Sequence, residues 1–142
     1  MPEVDIMLAL SICNLQRALC RSLNNVGGKA CQSWTKYSIL KVLEEEPGIN
    51  IQSLAAETSL TSGSVTYAID RLEAEGLIYR KKDSKDSRIC MIYLTSNGEE
   101  AIPKMQKKLS EVSSAVFEGI IESRKTEMLQ ELQSAISKTI DK

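Results

Sequence analysis

The sequence contains no histidine. That removes histidine general acid–base catalysis, Ser-His and Cys-His nucleophile activation, and histidine-ligated metal sites. No CxxC pair occurs among the four cysteines, Cys13, Cys20, Cys31 and Cys90, so a thiolate metal site has no supporting spacing. A Walker A loop and a GxGxxG turn are also missing. Aromatic residues are scarce at 4 %, and prolines number 3 among 142 residues. A core without aromatics must be built from Leu, Ile, Val and Ala, which favours helices over a β-sandwich. The longest early apolar run, Ile6 to Cys13, is too short to span a bilayer. Glu3 and Asp5 precede it, where a secretion signal would carry Lys or Arg. These features predict a cytoplasmic protein, with no membrane partner and no cofactor. In a reducing compartment all four cysteines are expected as thiols.

What is present suits a folded chain of one domain, with 42 % hydrophobic residues. The net charge is −1, unevenly spread. Between Tyr79 and Arg88 stand five cations (Arg80, Lys81, Lys82, Lys85, Arg88) against two anions (Asp83, Asp86), a local net of +3. Residues 1–60 and residues 99–142 each carry a net of −1. A basic spot on a slightly acidic protein reads as a local binding site, the ordinary alternative being a solvated hairpin.

The hydrophobic spacing predicts a first helix over 3–24, carrying Ile6, Leu8, Ile12, Leu15, Leu19 and Leu23. Asn24 to Gly28 ends it, and Gly28 to Ser33 reads as a loop. Thr35 is expected to cap a second helix through Glu45 that buries Ile39, Leu40 and Leu43. Pro47-Gly48 is a turn signal. Asn50 caps a short third helix, 52–58. Thr61 or Ser62 caps a fourth that reaches about Glu75 and buries Val65, Ala68, Ile69 and Leu72. Leu77 to Lys82 and Ile89 to Leu94 alternate as strands of a hairpin with a charged tip. Thr95 caps a long helix, for which Pro103 predicts a kink or a later start. A last helix, about Arg124 to Ile140, is expected to bury Met128, Leu129, Leu132, Ile136 and Ile140.

Short helices followed by a two-stranded hairpin are the order of a winged helix-turn-helix. A helix fits the major groove of B-DNA, and a cationic hairpin meets backbone or minor groove. The outward face of the fourth helix carries Ser62, Gly63, Ser64, Thr66 and Tyr67, with Arg71 one turn on. A polar solvent face is the plain alternative. An exposed tyrosine beside serine and threonine, with the cationic hairpin following at once, favours DNA contact.

The stretch Leu54-Ala55, then Leu60 to Glu73, then Gly76-Leu77-Ile78-Tyr79-Arg80, resembles the MarR family of transcriptional regulators. Asp86-Ser87-Arg88 leading to Leu94-Thr95 is similar to that family's wing signature. The Thr61 to Tyr67 stretch looks most like the branch that answers quinones and related electrophiles. The resemblance implies a mainly α fold with a small β-hairpin, a single domain over 1–142. A winged core over 35–98 would be flanked by dimerisation helices at 1–34 and 99–142. It implies a homodimer that binds pseudo-palindromic double-stranded DNA, usually as a repressor, and it implies no enzyme. Ser62, Ser64, Thr66, Tyr67 and Arg71 would face the major groove and Arg88 the minor groove. Asp86 would hold that arginine, with Lys81, Lys82 and Lys85 as phosphate contacts or spectators. A small aromatic ligand would sit between dimer helices and winged core, where Trp34, Tyr37 and Phe117 are candidates. Cys13 lies near the place where thiol sensors of the family keep their reactive cysteine. The first helix lacks the tyrosines of those sensors, and burial as a small apolar residue is the alternative for Cys13 and Cys20. Cys31 is a second thiol candidate, and Cys90 suits strand packing. The competing function is a winged-helix interaction or dimerisation module that never binds DNA.

Overall fold

The computed structural model describes residues 2–24 and 30–140, and the side chains of all of these except 24, 30–32 and 140. The order is α1 (Pro2–Asn24), α2 (Ala30–Glu45), β1 (Ile49–Asn50), α3 (Ile51–Thr58) and α4 (Ser62–Ala74). β2 (Ile78–Lys82), β3 (Cys90–Leu94), α5 (Ser96–Val116) and α6 (Glu122–Ile140) complete it. The fold class agrees with expectation, as does the order of the helices and the hairpin strands.

Local chemistry sets most boundaries. Asn50 Oδ1 accepts from the Ser53 amide at 2.9 Å and starts α3. Ser59, left-handed at φ 54°, ends it, and the Leu60 amide then donates to Ala55 O at 3.1 Å. This tight corner delivers Thr61, whose hydroxyl accepts from the Ser64 amide at 3.2 Å and starts α4. Gly76, at φ 73°, turns the chain into β2.

α2, α3, α4 and the sheet enclose one core. Ile39, Leu40, Leu54, Val65, Ile69, Leu72 and Ile92 are sealed from solvent. Each such side chain contributes roughly 1.5–3 kcal/mol by burial. A second cluster joins the helical ends: Cys20, Leu23 and Leu109, with Trp34, Tyr37 and Val112 packed on it.

Several expectations are corrected. α2 begins at Ala30, not Thr35, because Trp34 packs into the second cluster and a helical backbone there seats it. A third strand was not foreseen: Ile49 pairs Ile92 and Asn50 pairs Met91, giving the antiparallel order β1-β3-β2. α5 starts at Ser96 and runs through Pro103, so the later start is not taken. Its first turn is pinned too firmly to slip. Thr95 accepts from the Gly98 amide at 3.1 Å, donates its hydroxyl proton to Gly76 O at 2.6 Å, and donates its amide to Leu77 O at 3.0 Å. α5 ends at Val116, with Gly119 at φ 82° in the turn that follows. Among its described side chains, α6 buries none of the predicted residues within the chain. Met128, Leu129, Leu132 and Ile136 are exposed, with Phe117 at the edge of the groove that the first three line. The side chain of Ile140 and the turn at 25–28 lie outside the described residues.

Candidate nucleic-acid interface

α4 is amphipathic. Val65, Ala68, Ile69 and Leu72 anchor one side in the core, which leaves Ser62, Gly63, Ser64, Thr66, Tyr67 and Asp70 outside. Tyr67 is 56 % exposed, a high value for a ring of that size. The Thr66 hydroxyl donates to Ser62 O at 2.8 Å, so its lone pairs and methyl face outward. Ser64 is partly committed to the cap, accepting from the Thr61 hydroxyl at 2.9 Å. A Cβ added at Gly63 would meet nothing within 4 Å, so this end of α4 is open. Arg71 lies against Tyr67. Its guanidinium lies 5.9 Å from the centre of the Tyr67 ring and donates to the Tyr67 hydroxyl at 3.4 Å. Its Nε is buried without a partner. Arg71 and Tyr67 therefore act as one unit at the edge of a groove of about 210 Å³ that Lys36 also borders.

The hairpin closes through the Asp83 amide to Ile89 O at 2.9 Å and the Ile89 amide to Asp86 O at 3.0 Å. At its tip the Asp86 carboxylate accepts three bonds from Arg88, from the backbone N–H at 3.0 Å, Nε at 3.1 Å and Nη2 at 3.2 Å. The Arg88 side chain is nonetheless 90 % exposed. Its direction is set while its outer face stays open to solvent. The same bonds, the side-chain ones first and the backbone one second, hold the Asp86 carboxyl below the ordinary value of 3.8. Lys81, Lys82 and Lys85 are exposed around it.

Two cations, Arg80 and Lys36, have partners that sequence reasoning did not find. Arg80 reaches from β2 to α4, with Nη1 2.5 Å from Glu73 Oε2 and Nη2 2.5 Å from Asp70 Oδ1. The bond to Asp70, with both carboxylates beside it, raises the Arg80 pKa above its already high ordinary value. Lys36 reaches from α2 to both oxygens of Glu75, at 2.5 and 2.7 Å. The signal was present in part, since alternation along β2 puts Arg80 on the side of buried Ile78.

Of the three residues expected in a ligand cleft, Trp34 and Tyr37 meet at the second cluster, and Phe117 stands apart from them within the chain. Trp34 borders a groove of about 270 Å³ between α1 and α2, shared with Ile12, Leu15 and Leu19. Its indole N–H is buried without a partner. Tyr37 packs against both clusters. Phe117 lies elsewhere, in a groove against Met128, Leu129 and Leu132 of α6. Of the cysteines, Cys13 is an exposed free thiol rather than a buried apolar residue, and Cys90 is a half-buried free thiol of β3. Cys20 is disulfide-bonded, which corrects the expectation of four thiols. That expectation rested on compartment, which says nothing of geometry. The side chain of Cys31 lies outside the described ones. Among the described residues there is no cluster able to hold a metal ion, and no helix is long and apolar enough to cross a membrane.

The model of the MarR family matches residues 33–90, the span from α2 to the start of β3. A transcriptional regulator named SarZ, of the helix-turn-helix type, from Staphylococcus haemolyticus is 31 % identical over 111 residues. That match covers 77 % of this chain and 73 % of SarZ. The chain belongs to the MarR family. As a MarR-family protein it is a DNA-binding transcriptional regulator and not an enzyme. The crystal structure of the regulator BldR from Sulfolobus solfataricus superposes with a TM-score of 0.81 at 26 % identity, covering 96 % of each chain. CouR from Rhodococcus jostii RHA1, solved with p-coumaroyl-CoA, shares the fold at a TM-score of 0.74 and 23 % identity. It covers 94 % of this MarR-family chain and 91 % of its own. The matched segment contains Asp86 and Arg88 and the whole of α4.

Proposed function

We propose that this regulator binds a pseudo-palindromic operator as a homodimer and acts as a repressor, with α4 of each protomer in a major groove and Arg88 in the flanking minor groove. One observation carries the reading: an outward face of Ser62, Thr66 and Tyr67 adjoins a hairpin whose fully presented arginine is aimed by Asp86. Hydroxyls and an aromatic ring suit base edges and thymine methyls, whereas an aimed guanidinium suits the negative potential of a narrow minor groove. Lys85 serves as a phosphate contact, and Arg71 supports Tyr67 from behind.

Pairing is supported by the apolar surface left on α1 and α6. Ile6, Met7, Leu8 and Leu10 are each more than half exposed, as is Leu129. A stripe of that length is a liability in a monomer, and a second copy is its usual cover. Sedimentation is expected to give twice the 15.7 kDa chain mass. The groove beside Trp34 is of a size for a single-ring aromatic effector, whose acceptor would take the orphaned indole proton. Exposed Cys13 is the position at which an oxidant or quinone would act.

The test is a titration against the duplex that wild-type protein enriches from a random pool. Arg88→Ala is expected to weaken binding by about 1–3 kcal/mol. Thr66→Ala is expected to change which sequences are preferred, whereas Lys85→Ala weakens all duplexes alike and flattens the salt dependence. An unchanged titration for Arg88→Ala overturns the role given to the wing.

A further inference from the structure

The α4 helix carries two carboxylates, Asp70 and Glu73, where a DNA-reading element would repel its ligand. Asp70 and Glu73 stand one turn apart and are both taken by Arg80 of β2, each by a different guanidinium nitrogen. A planar fork suits this task, because its separate nitrogens reach the two carboxylates in a fixed geometry. The Arg80 side chain is 28 % exposed, and its partner across the sheet, Ile92, is fully buried. The root of Arg80 is therefore rigid. Among the described residues, no other ion pair joins α4 to the hairpin. The hairpin needs such a brace. β1 covers only Ile92 and Met91 of β3, a two-stranded ribbon is marginally stable, and the tip lies beyond the last pairing of Lys82 with Cys90. A small swing at Arg80 becomes a larger displacement at Arg88.

We infer that Arg80 is a positioning residue for DNA reading: by gripping Asp70 and Glu73 it fixes the angle between recognition helix and wing, without itself touching DNA. The inference rests on the DNA-binding reading above. Partly exposed ion pairs add little to folding stability. The loss therefore appears in the discrimination between operator and other DNA, more than in the melting temperature.

The experiment compares affinity for the duplex enriched by wild-type protein with affinity for a random-sequence duplex of equal length. Two variants break the grip from opposite sides. Arg80→Gln removes one positive charge, and Asp70→Asn with Glu73→Gln removes two negative ones. The expected result is a fall of about tenfold in the affinity ratio for both, the scale of one lost base-pair contact, despite opposite changes of net charge. In an Arg88→Ala background, Arg80→Gln is expected to change the ratio less than about twofold, because its effect runs through Arg88. Should Arg80→Gln fold poorly, the doubly neutralised carboxylate variant decides alone. An unchanged ratio, with affinity merely following net charge, overturns the inference. So does an equal loss from Arg80→Gln with and without Arg88. A wild-type protein that enriches no duplex overturns the DNA-binding reading, and the inference with it.

Discussion

Gly98→Ala and Gly63→Ala exchange the same groups in helices and are expected to move stability in opposite directions. In a free helix the change from glycine to alanine stabilises by up to about 1 kcal/mol. At Gly63 an added Cβ would meet nothing within 4 Å, so that gain, or part of it this near the helix start, is expected. At Gly98 the added Cβ would stand 2.0 Å from Leu77 O, 3.0 Å from Leu77 C and 3.2 Å from Leu94 Cδ2. The first atom is backbone and cannot rotate away, so a segment must retreat by about an ångström. Overpacking of that kind costs about 1–3 kcal/mol. The retreat also strains the bonds of Thr95 to Leu77 O at 3.0 Å and to Gly76 O at 2.6 Å, at about 0.5–1.5 kcal/mol each. Less the helix gain, the net destabilisation spans about 1–5 kcal/mol. Urea unfolding at one fixed protein concentration, with a slope of about 2 kcal/mol per molar, reads it as a midpoint lower by about 0.5–2.5 M. A Gly98→Ala protein as stable as wild type refutes the argument, because the backbone would then have yielded at no cost.

Two further outcomes are expected. The Asp86 carboxyl, followed by carbon NMR, titrates below 3.8. Its pairing with Arg88 is complete above that value and is lost as pH falls through the lowered midpoint, and Arg88→Ala moves the midpoint back up. Equal midpoints in the two proteins contradict the pairing. The fluorescence of Trp34, the sole tryptophan, is expected to change saturably with a single-ring aromatic acid such as benzoate, and Leu15→Phe is expected to abolish that change by filling the groove. A linear, unsaturable response removes the effector site.

The parts of the fold that local chemistry determines were legible in the sequence. Asn50, Thr61 and Thr95 cap helices through bonds to residues three positions on, so each boundary is written within a few letters. The apolar positions of α4 and the alternation of the hairpin strands follow from period alone. What escaped depends on partners distant in the chain. β1 is two residues long, and only its pairing with β3 makes it a strand. The early start of α2 follows from where Trp34 packs. Arg80 was counted as one more cation of the tip, although its fork engages α4. The contact of Arg71 with the Tyr67 ring was not foreseen. Trp34 and Phe117 looked alike as scarce aromatics and lie in different grooves.

The seam around Thr95 has a mechanical consequence. The exit of α4, the entry of β2 and the first turn of α5 are stitched by three hydrogen bonds and one close glycine contact, all within residues 76–77 and 95–98. There is no slack at that junction to absorb a twist of the long helix. Whatever rolls or tilts α5 drags the end of α4 with it, as a crankshaft carries its rod.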